Sequence, residues 1–535
     1  MTPKMTLSAA SVAMALAVPA FPLWAGTGTG PSSSASPYVV NVPASVNVVS
    51  ILTVGDAVNA KPGSAVPYRM VGIPDGMGAY DNHDGTFTLL MNHELGNAAG
   101  VLREHGYAGS FVSQWIIRKS DLAVLHGGDV VKKVFEWNAS SGAYQPATRA
   151  MGRLCSADLP PRSAFYNSRT GKGYSGRVFM DGEEVGNEGR AFAHVVTGPG
   201  IGISYELPSL GKFSWENSVA SPYEQDRTVV IGLDDTTPGQ LYVYLGSKQS
   251  DGTEIEKAGL HGGSLHGIRV DGVALEDRAA GIPDGARFSL HDFGDVRFTT
   301  GAQLQATSVA NGVTQFLRPE DGAWDTRDPR VFYFVTTDRY DSIKDGSGGG
   351  TQGRSRIYRL TFDDIRQPET GGRIDMMLDG TGPQQMFDNM TVDADGNLLL
   401  QEDPGGQAYL ARIWKFYPKA RTLVEVAKHD PARFGERSGA TTTPATPPFS
   451  NDEESSGIIE ITQLLRRNPH HWLHGFFERH EDDDDDFDAA YSWAKHGYRY
   501  YLGATQAHYN AGDPELVEGG QLFLLAVPRN LRAPR

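Results

Sequence analysis

The sequence predicts an all-β protein, a β-propeller with inserted loops and a few short helices. Three observations carry this expectation: short apolar runs that end in acid, alternating aromatic runs that follow them, and a turn-rich composition. Of 535 residues, 63 are Gly and 31 are Pro, and aromatics make up 10%. Gly and Pro supply turns, and aromatic side chains suit pleated surfaces. Hydrophobic residues at 39% and charged residues at 21% are enough for a large core and exclude a wholly disordered chain.

A lone Lys4 precedes an apolar, Ala-rich run to Trp24, followed by the small residue Ala25. Residues 1–25 read as a secretory signal peptide, and Pro19 and Pro22 argue against a continuous membrane span. Residues 26–37, rich in Gly, Ser and Thr, read as a flexible leader. Residues 38–535 are left as a single propeller domain. The product is therefore expected in the periplasm or outside the cell, without stable membrane insertion, as a monomer.

The acid-tipped runs come next. Thr86 to Met91 leads to Asn92-His93-Glu94, and Arg177 to Met180 leads to Asp181-Gly182-Glu183-Glu184. Arg227 to Leu233 leads to Asp234-Asp235, Arg330 to Val335 ends near Asp338, and Asn397 to Leu400 leads to Gln401-Glu402-Asp403. Alternating runs follow at Gln240 to Leu245, Arg356 to Phe362 and Arg412 to Phe416. Continuous apolar strands are buried on both faces and alternating strands on one, so each pair reads as a hairpin. If the acid-tipped runs are the innermost strands of a radial array, their carboxylates share one ring around the axis. Helical pattern is sparse, with Ile458 to Leu465 its best stretch. The run Glu481 to Asp488 reads as a solvated loop.

The formal charge of −16 repels phosphodiester backbones, so no nucleic-acid partner is expected. One cysteine, Cys155, excludes an intramolecular disulfide. The metal-ligand candidates are Glu94, Glu183, Glu184, Glu216, Asp234, Asp235, Glu320, Glu402, Asp403 and Glu454. Carboxylates are the donors that calcium and ferric iron prefer, and clustered acids need cations to stay charged. For Glu454 and Asp338 a plain surface role fits as well. A lone cysteine is by default a small buried hydrophobe, and otherwise a strong transition-metal ligand. On a strand, Arg318 and Glu320 share a face, so the arginine can hold an anion beside a metal carried by the glutamate. A local ion pair is the alternative.

Several stretches together resemble the PhoX-type bacterial alkaline phosphatases. These are Asn92-His93-Glu94, Cys155 to Glu184, Trp215-Glu216-Asn217, Val230 to Tyr244, Arg318-Pro319-Glu320 and Phe387 to Trp414. The resemblance implies a six-bladed propeller that hydrolyses phosphate monoesters at a cluster of ferric (Fe3+) and calcium (Ca2+) ions. It also implies that Cys155, Glu216 and Glu320 bind iron and that Arg318 binds phosphate, with Arg412 a candidate second phosphate ligand. Glu183, Glu184, Asp234, Asp235, Glu402 and Asp403 would lie around the cluster or hold calcium. Trp215 stands where these phosphatases usually show His, and the export signal lacks their twin arginine. Two alternatives remain open: a calcium-dependent lactonase or esterase, and a non-catalytic, calcium-stabilised binding propeller.

Overall fold

The computed structural model describes residues 27–60, 65–345, 347–438, 441–465, 491 and 493–531. The expected signal peptide and the acidic run at 481–488 lie outside the described residues.

The molecule is built mainly of antiparallel strands. Six short strands stand at the ends of their sheets: Pro74–Asp81, Leu154–Asp158, Trp215–Ala220, Pro319–Trp324, Phe387–Val392 and Glu453–Glu460. Each packs on the next, and the last packs on the first. Further strands run outward from each, as Trp215–Ala220 pairs with Arg227–Asp234, then Gly239–Ser247, then Ser264–Val270. This radial ring is a β-propeller arrangement.

The expected strand pairs form. Arg227–Asp234 pairs with Gly239–Ser247, Val331–Thr336 with Arg356–Phe362, and Leu398–Glu402 with Arg412–Tyr417. Where neighbouring arms of the ring meet, their apolar faces interlock, as in the cluster of Ile231, Leu233, Leu241, Val243, Phe316, Phe334 and Leu360. Burying one such side chain is worth about 1.5–3 kcal/mol, so these layers set most of the stability.

The acid-tipped strands are not the innermost ones. They are second from the axis, and each ends opposite the start of an inner strand. The register pairs Pro74 with His93, Leu154 with Glu183, Trp215 with Asp234, Pro319 with Thr336 and Phe387 with Glu402. Because the pairing is antiparallel, the acid tips share a rim with the inner-strand starts but sit one strand outward.

Both chain ends build the last sheet. Asn47–Thr53 pairs with Glu518–Pro528, which pairs with Tyr498–Asn510, which pairs with the inner strand Glu453–Glu460. The ring thus closes without a covalent link. Thr27–Thr29 adds a parallel strand to Asn47–Thr53, so part of the expected flexible leader is ordered on the sheet edge, where backbone pairing holds it. Ile458 to Glu460 is strand rather than helix, and only Thr462–Leu465 forms a 3-10 turn; pairing with Tyr498–Asn510 overrides the weak helical pattern.

At the axis the inner strands approach closely. A Cβ on Gly76 would lie 2.3 Å from the Ala157 nitrogen, and one on Gly457 would lie 2.5 Å from the Asp75 carbonyl oxygen. Only glycine fits there.

Candidate metal centre

Each inner strand carries a residue of metal-ligand type at its second position: Asp75, Cys155, Glu216, Glu320, Asp388 and Glu454. Two backbone devices recur around them. The residue before the strand has a left-handed backbone at Ile73 (φ 49°), Arg153 (φ 45°), Arg318 (φ 58°) and Met386 (φ 30°). For non-glycine residues this costs on the order of 1–3 kcal/mol and persists where surrounding structure enforces it. The ladder register then breaks just inside the strand, between Pro74 and Met77, Leu154 and Ala157, Trp215 and Asn217, Pro319 and Gly322, and Phe387 and Met390. Such bulges re-aim a side chain.

These side chains converge. Ligand-type atoms lie within 4.8 Å of one another in three sets: Asp75, Glu94 and Cys155; Glu216, Glu320 and Asp388; and Asp388, Asp403 and Glu454. Cys155 Sγ is 3.1 Å from Glu216 Oε2 and 3.5 Å from Asp75 Oδ2, which links the first two sets. Ser156 Oγ donates to Glu216 Oε1 at 2.6 Å, Asn389 Nδ2 donates to Ser156 Oγ, and Asn389 Oδ1 accepts from Gly457 N at 2.8 Å. This polar chain orients the Glu216 carboxylate from beneath.

Cations are fewer than carboxylates. Arg153 Nη2 lies 2.7 Å from Glu94 Oε1 and also contacts Glu184. Arg318 holds Asp235 with Nε and Nη2, both at 2.9 Å, and its Nη2 lies 2.5 Å from Glu320 Oε1. His508 is 2.7 Å from Glu518 and 3.7 Å from Glu454. The shortfall shows in the acidities. Burial, then neighbouring carboxylates, pushes Asp75 and Asp388 well above the usual carboxylate range. Burial raises Glu216 to about 8 and, with Glu454 nearby, Asp403 to about 7. Burial also drives Glu320 up despite Arg318, and drives the Cys155 thiol up beside Asp75 and Glu216. Asp75 Oδ1 and Asp388 Oδ1 are buried with no hydrogen-bond partner among the described residues. Buried acids and a thiol with orphaned oxygens fit bound multivalent cations, which hold such groups deprotonated.

Of the residues expected from sequence, Cys155, Glu216, Glu320, Glu94, Asp403 and Glu454 lie in these sets. Others lie outside the three sets. Glu183 is clamped by Arg190 at 2.6 and 2.7 Å and accepts from Gly152 N at 3.0 Å. Asp234 serves its own turn through Gln240 N at 3.3 Å. Glu402 accepts from Trp414 Nε1 at 2.8 Å and from the backbone of Gln385 and Arg412 at 2.7 and 3.0 Å. These three end second strands, so their carboxylates are spent on the rim instead of the axis. Glu184 and Asp235 hold the two arginines. Arg412 lies over the Tyr409 ring, 3.6 Å from Glu425, and takes no part in the sets. Asp338 binds Arg278 at 2.9 Å.

The Arg318 fork, expected free for an anion, is occupied by Asp235. The left-handed turn at Arg318 places it before its strand, outside the strand alternation, yet its guanidinium still reaches Glu320. Trp215 turns away from the axis and stacks on Phe213 at 3.9 Å. Asp75 and Asp388 were not foreseen from sequence. Their signal is an acid at the second position of the inner strand, which recurs at five of the six starts, as in Pro74-Asp75-Gly76, Pro319-Glu320-Asp321 and Phe387-Asp388-Asn389.

Residues 204–443 match the family model of alkaline phosphatase PhoX. That span holds Glu216, Asp235, Arg318, Glu320, Asp388 and Asp403. Among solved structures, Pseudomonas fluorescens PhoX in complex with vanadate, a transition state analogue, superposes with a TM-score of 0.57 at 12% identity, over 91% of this chain and 95% of that one. A putative 6-phosphogluconolactonase from Bacteroides uniformis covers 70% of this chain and 89% of its own at 11% identity, with a TM-score of 0.26 that is too low to bear on the fold. No protein of curated function matches. The solved PhoX structure shows a shared fold, and over residues 204–443 the chain carries the sequence pattern of the PhoX alkaline phosphatases.

Proposed function

We propose that this chain is an exported, metal-dependent phosphatase that hydrolyses phosphate monoesters at a cluster of ferric and calcium ions in the propeller axis. The observation that carries the reading is the position of Glu216. Its carboxylate contacts the Cys155 thiol at 3.1 Å and shares a set with Glu320, although the three residues start different inner strands. Cys155, Glu216 and Glu320 would hold iron, and Asp75, Glu94, Asp388, Asp403 and Glu454 would hold calcium. Such ions supply Lewis acidity to phosphoryl oxygens.

The chain's own groups do the rest. Arg318 is fixed by Asp235 and Glu320, so its charge is oriented at the rim before substrate arrives. With Nε and Nη2 engaged, Nη1 remains to meet a phosphate oxygen. Arg153, half-exposed and anchored by Glu94 and Glu184, offers a second cation on the same rim. Ser156 and Asn389 keep Glu216 from rotating away. Among the described residues no helix is long and apolar enough to cross a membrane, and export rests on the reading of residues 1–25.

The test is elemental analysis of native protein beside its turnover of a generic phosphomonoester, repeated for Cys155→Ala. Iron and calcium with turnover, and joint loss of iron and activity in the variant, are expected. Calcium without iron, or a Cys155→Ala variant that keeps its full iron, would overturn the proposal.

A further inference from the structure

Gln506 lies directly opposite Glu454 in the last sheet and is fully buried. Its amide nitrogen has four acceptors within reach: Asp75 Oδ2 at 3.1 Å, Glu94 Oε2 at 3.0 Å, Glu454 Oε1 at 3.2 Å and Ser456 Oγ at 3.1 Å. An amide NH2 carries two hydrogens, so at most two of these oxygens are well served at once. The other end of the amide is worse off, because Oε1 is buried with no hydrogen-bond partner among the described residues. As a hydrogen-bond donor alone, Gln506 is a poor solution for this site.

Rotating the amide by half a turn exchanges the two ends, which are alike in shape. The carbonyl oxygen would then stand about 3 Å from three carboxylate oxygens. Without a cation that is repulsive. With one it is the spacing of neighbouring oxygens around a single calcium ion, whose ligands lie at about 2.3–2.6 Å. Amide carbonyls are ordinary calcium ligands.

We propose that Gln506 is itself a metal ligand, its carbonyl oxygen closing a site for a hard divalent cation with Asp75, Glu94 and Glu454. This rests on the reading of the axial cluster as metal-binding, but not on phosphate-ester hydrolysis. The site joins the Asp75 set to the Glu454 set and lies on the side of the cluster away from Glu320. One neutral ligand among three carboxylates keeps the local charge close to balance when the ion is bound.

The test uses metal-stripped full-length protein and calcium alone, counted by equilibrium dialysis. The parent is expected to bind one more equivalent than Gln506→Leu, or to bind its last equivalent at least tenfold more tightly. Gln506→Lys sets an ammonium among the three acids, so it stays folded without metal and should also lose one equivalent. Parent crystals soaked in terbium, a calcium substitute, should show an anomalous peak at bonding distance from Gln506 Oε1. Unchanged stoichiometry and affinity in both variants, or a peak out of reach of Gln506, would overturn the proposal. None of these readouts needs turnover, so they stand whether or not the chain is a phosphatase.

Discussion

Replacing Arg318 by Lys keeps a positive charge and removes the planar fork. In the structure the guanidinium makes two parallel 2.9 Å contacts to Asp235 and one of 2.5 Å to Glu320. An ammonium on a flexible stem can satisfy one of these carboxylates, and it then turns its charge toward that partner instead of the substrate. Hydrogen bonds to charged groups are worth about 1.5–3 kcal/mol. The side chain is 25% exposed, so solvent screens part of that. A loss of about 1–3 kcal/mol of transition-state stabilisation is therefore expected, roughly 5- to 150-fold in kcat/KM. The assay is steady-state hydrolysis of a generic phosphomonoester by protein loaded with iron and calcium, with metal content measured on the same samples. Metal content should not change. A variant as fast as the parent would show that Arg318 only pairs with Asp235 and Glu320.

Other perturbations separate axis from rim and probe the fold. Asp388→Asn should lower bound metal, because Asp388 belongs to two of the ligand sets; Glu183→Gln should leave metal content intact while weakening the clamp on Arg190, seen as a lower Tm. Gly76→Ala forces a Cβ to 2.3 Å from the Ala157 backbone and should cost roughly 1–3 kcal/mol in denaturant unfolding; a neutral result would mean that the inner strands can part. Asp395 is partly buried, which raises its pKa, but Arg499 and Arg529 bind it at 2.6–3.0 Å and hold it well below the usual carboxylate range. A depressed folded-state pKa gives stability that is full above the unfolded value of about 3.9 and lost as pH falls below it. Asp395→Asn should thus cost about 3 kcal/mol at neutral pH and progressively less below pH of about 4; a pH-independent difference in Tm would refute the ion-pair account.

The β class was legible in local chemistry. Runs such as Arg227–Asp234 and Gly239–Ser247 declare themselves by continuous or alternating apolar residues, and they pair as their patterns imply. Cys155, Glu216 and Glu320 were reachable through the resemblance to the PhoX phosphatases, which rests on the order of several stretches and on no single one. The metal set as a whole was not. The strands that carry it, PDGMGAYD, LCSAD and PEDGAW, are short and rich in small and acidic residues. They read as turns because the axis is crowded and polar, so it selects small and charged residues over the branched apolar ones that mark a strand.

Sequence alone determined the strand-rich class, the acid excess and the recurrence of carboxylates at strand ends, because each depends only on neighbouring residues. Tertiary structure decided which carboxylates meet. Glu183, Asp234 and Glu402 end apolar strands, yet they are bound by Arg190, a turn backbone and Trp414. Asp75, Asp388 and Glu454 begin unremarkable segments and face the axis sets. The difference is one strand of radial position, set by antiparallel register and by ring closure between Asn47–Thr53 and Glu518–Pro528. Those pairings span most of the chain, so no local pattern encodes them.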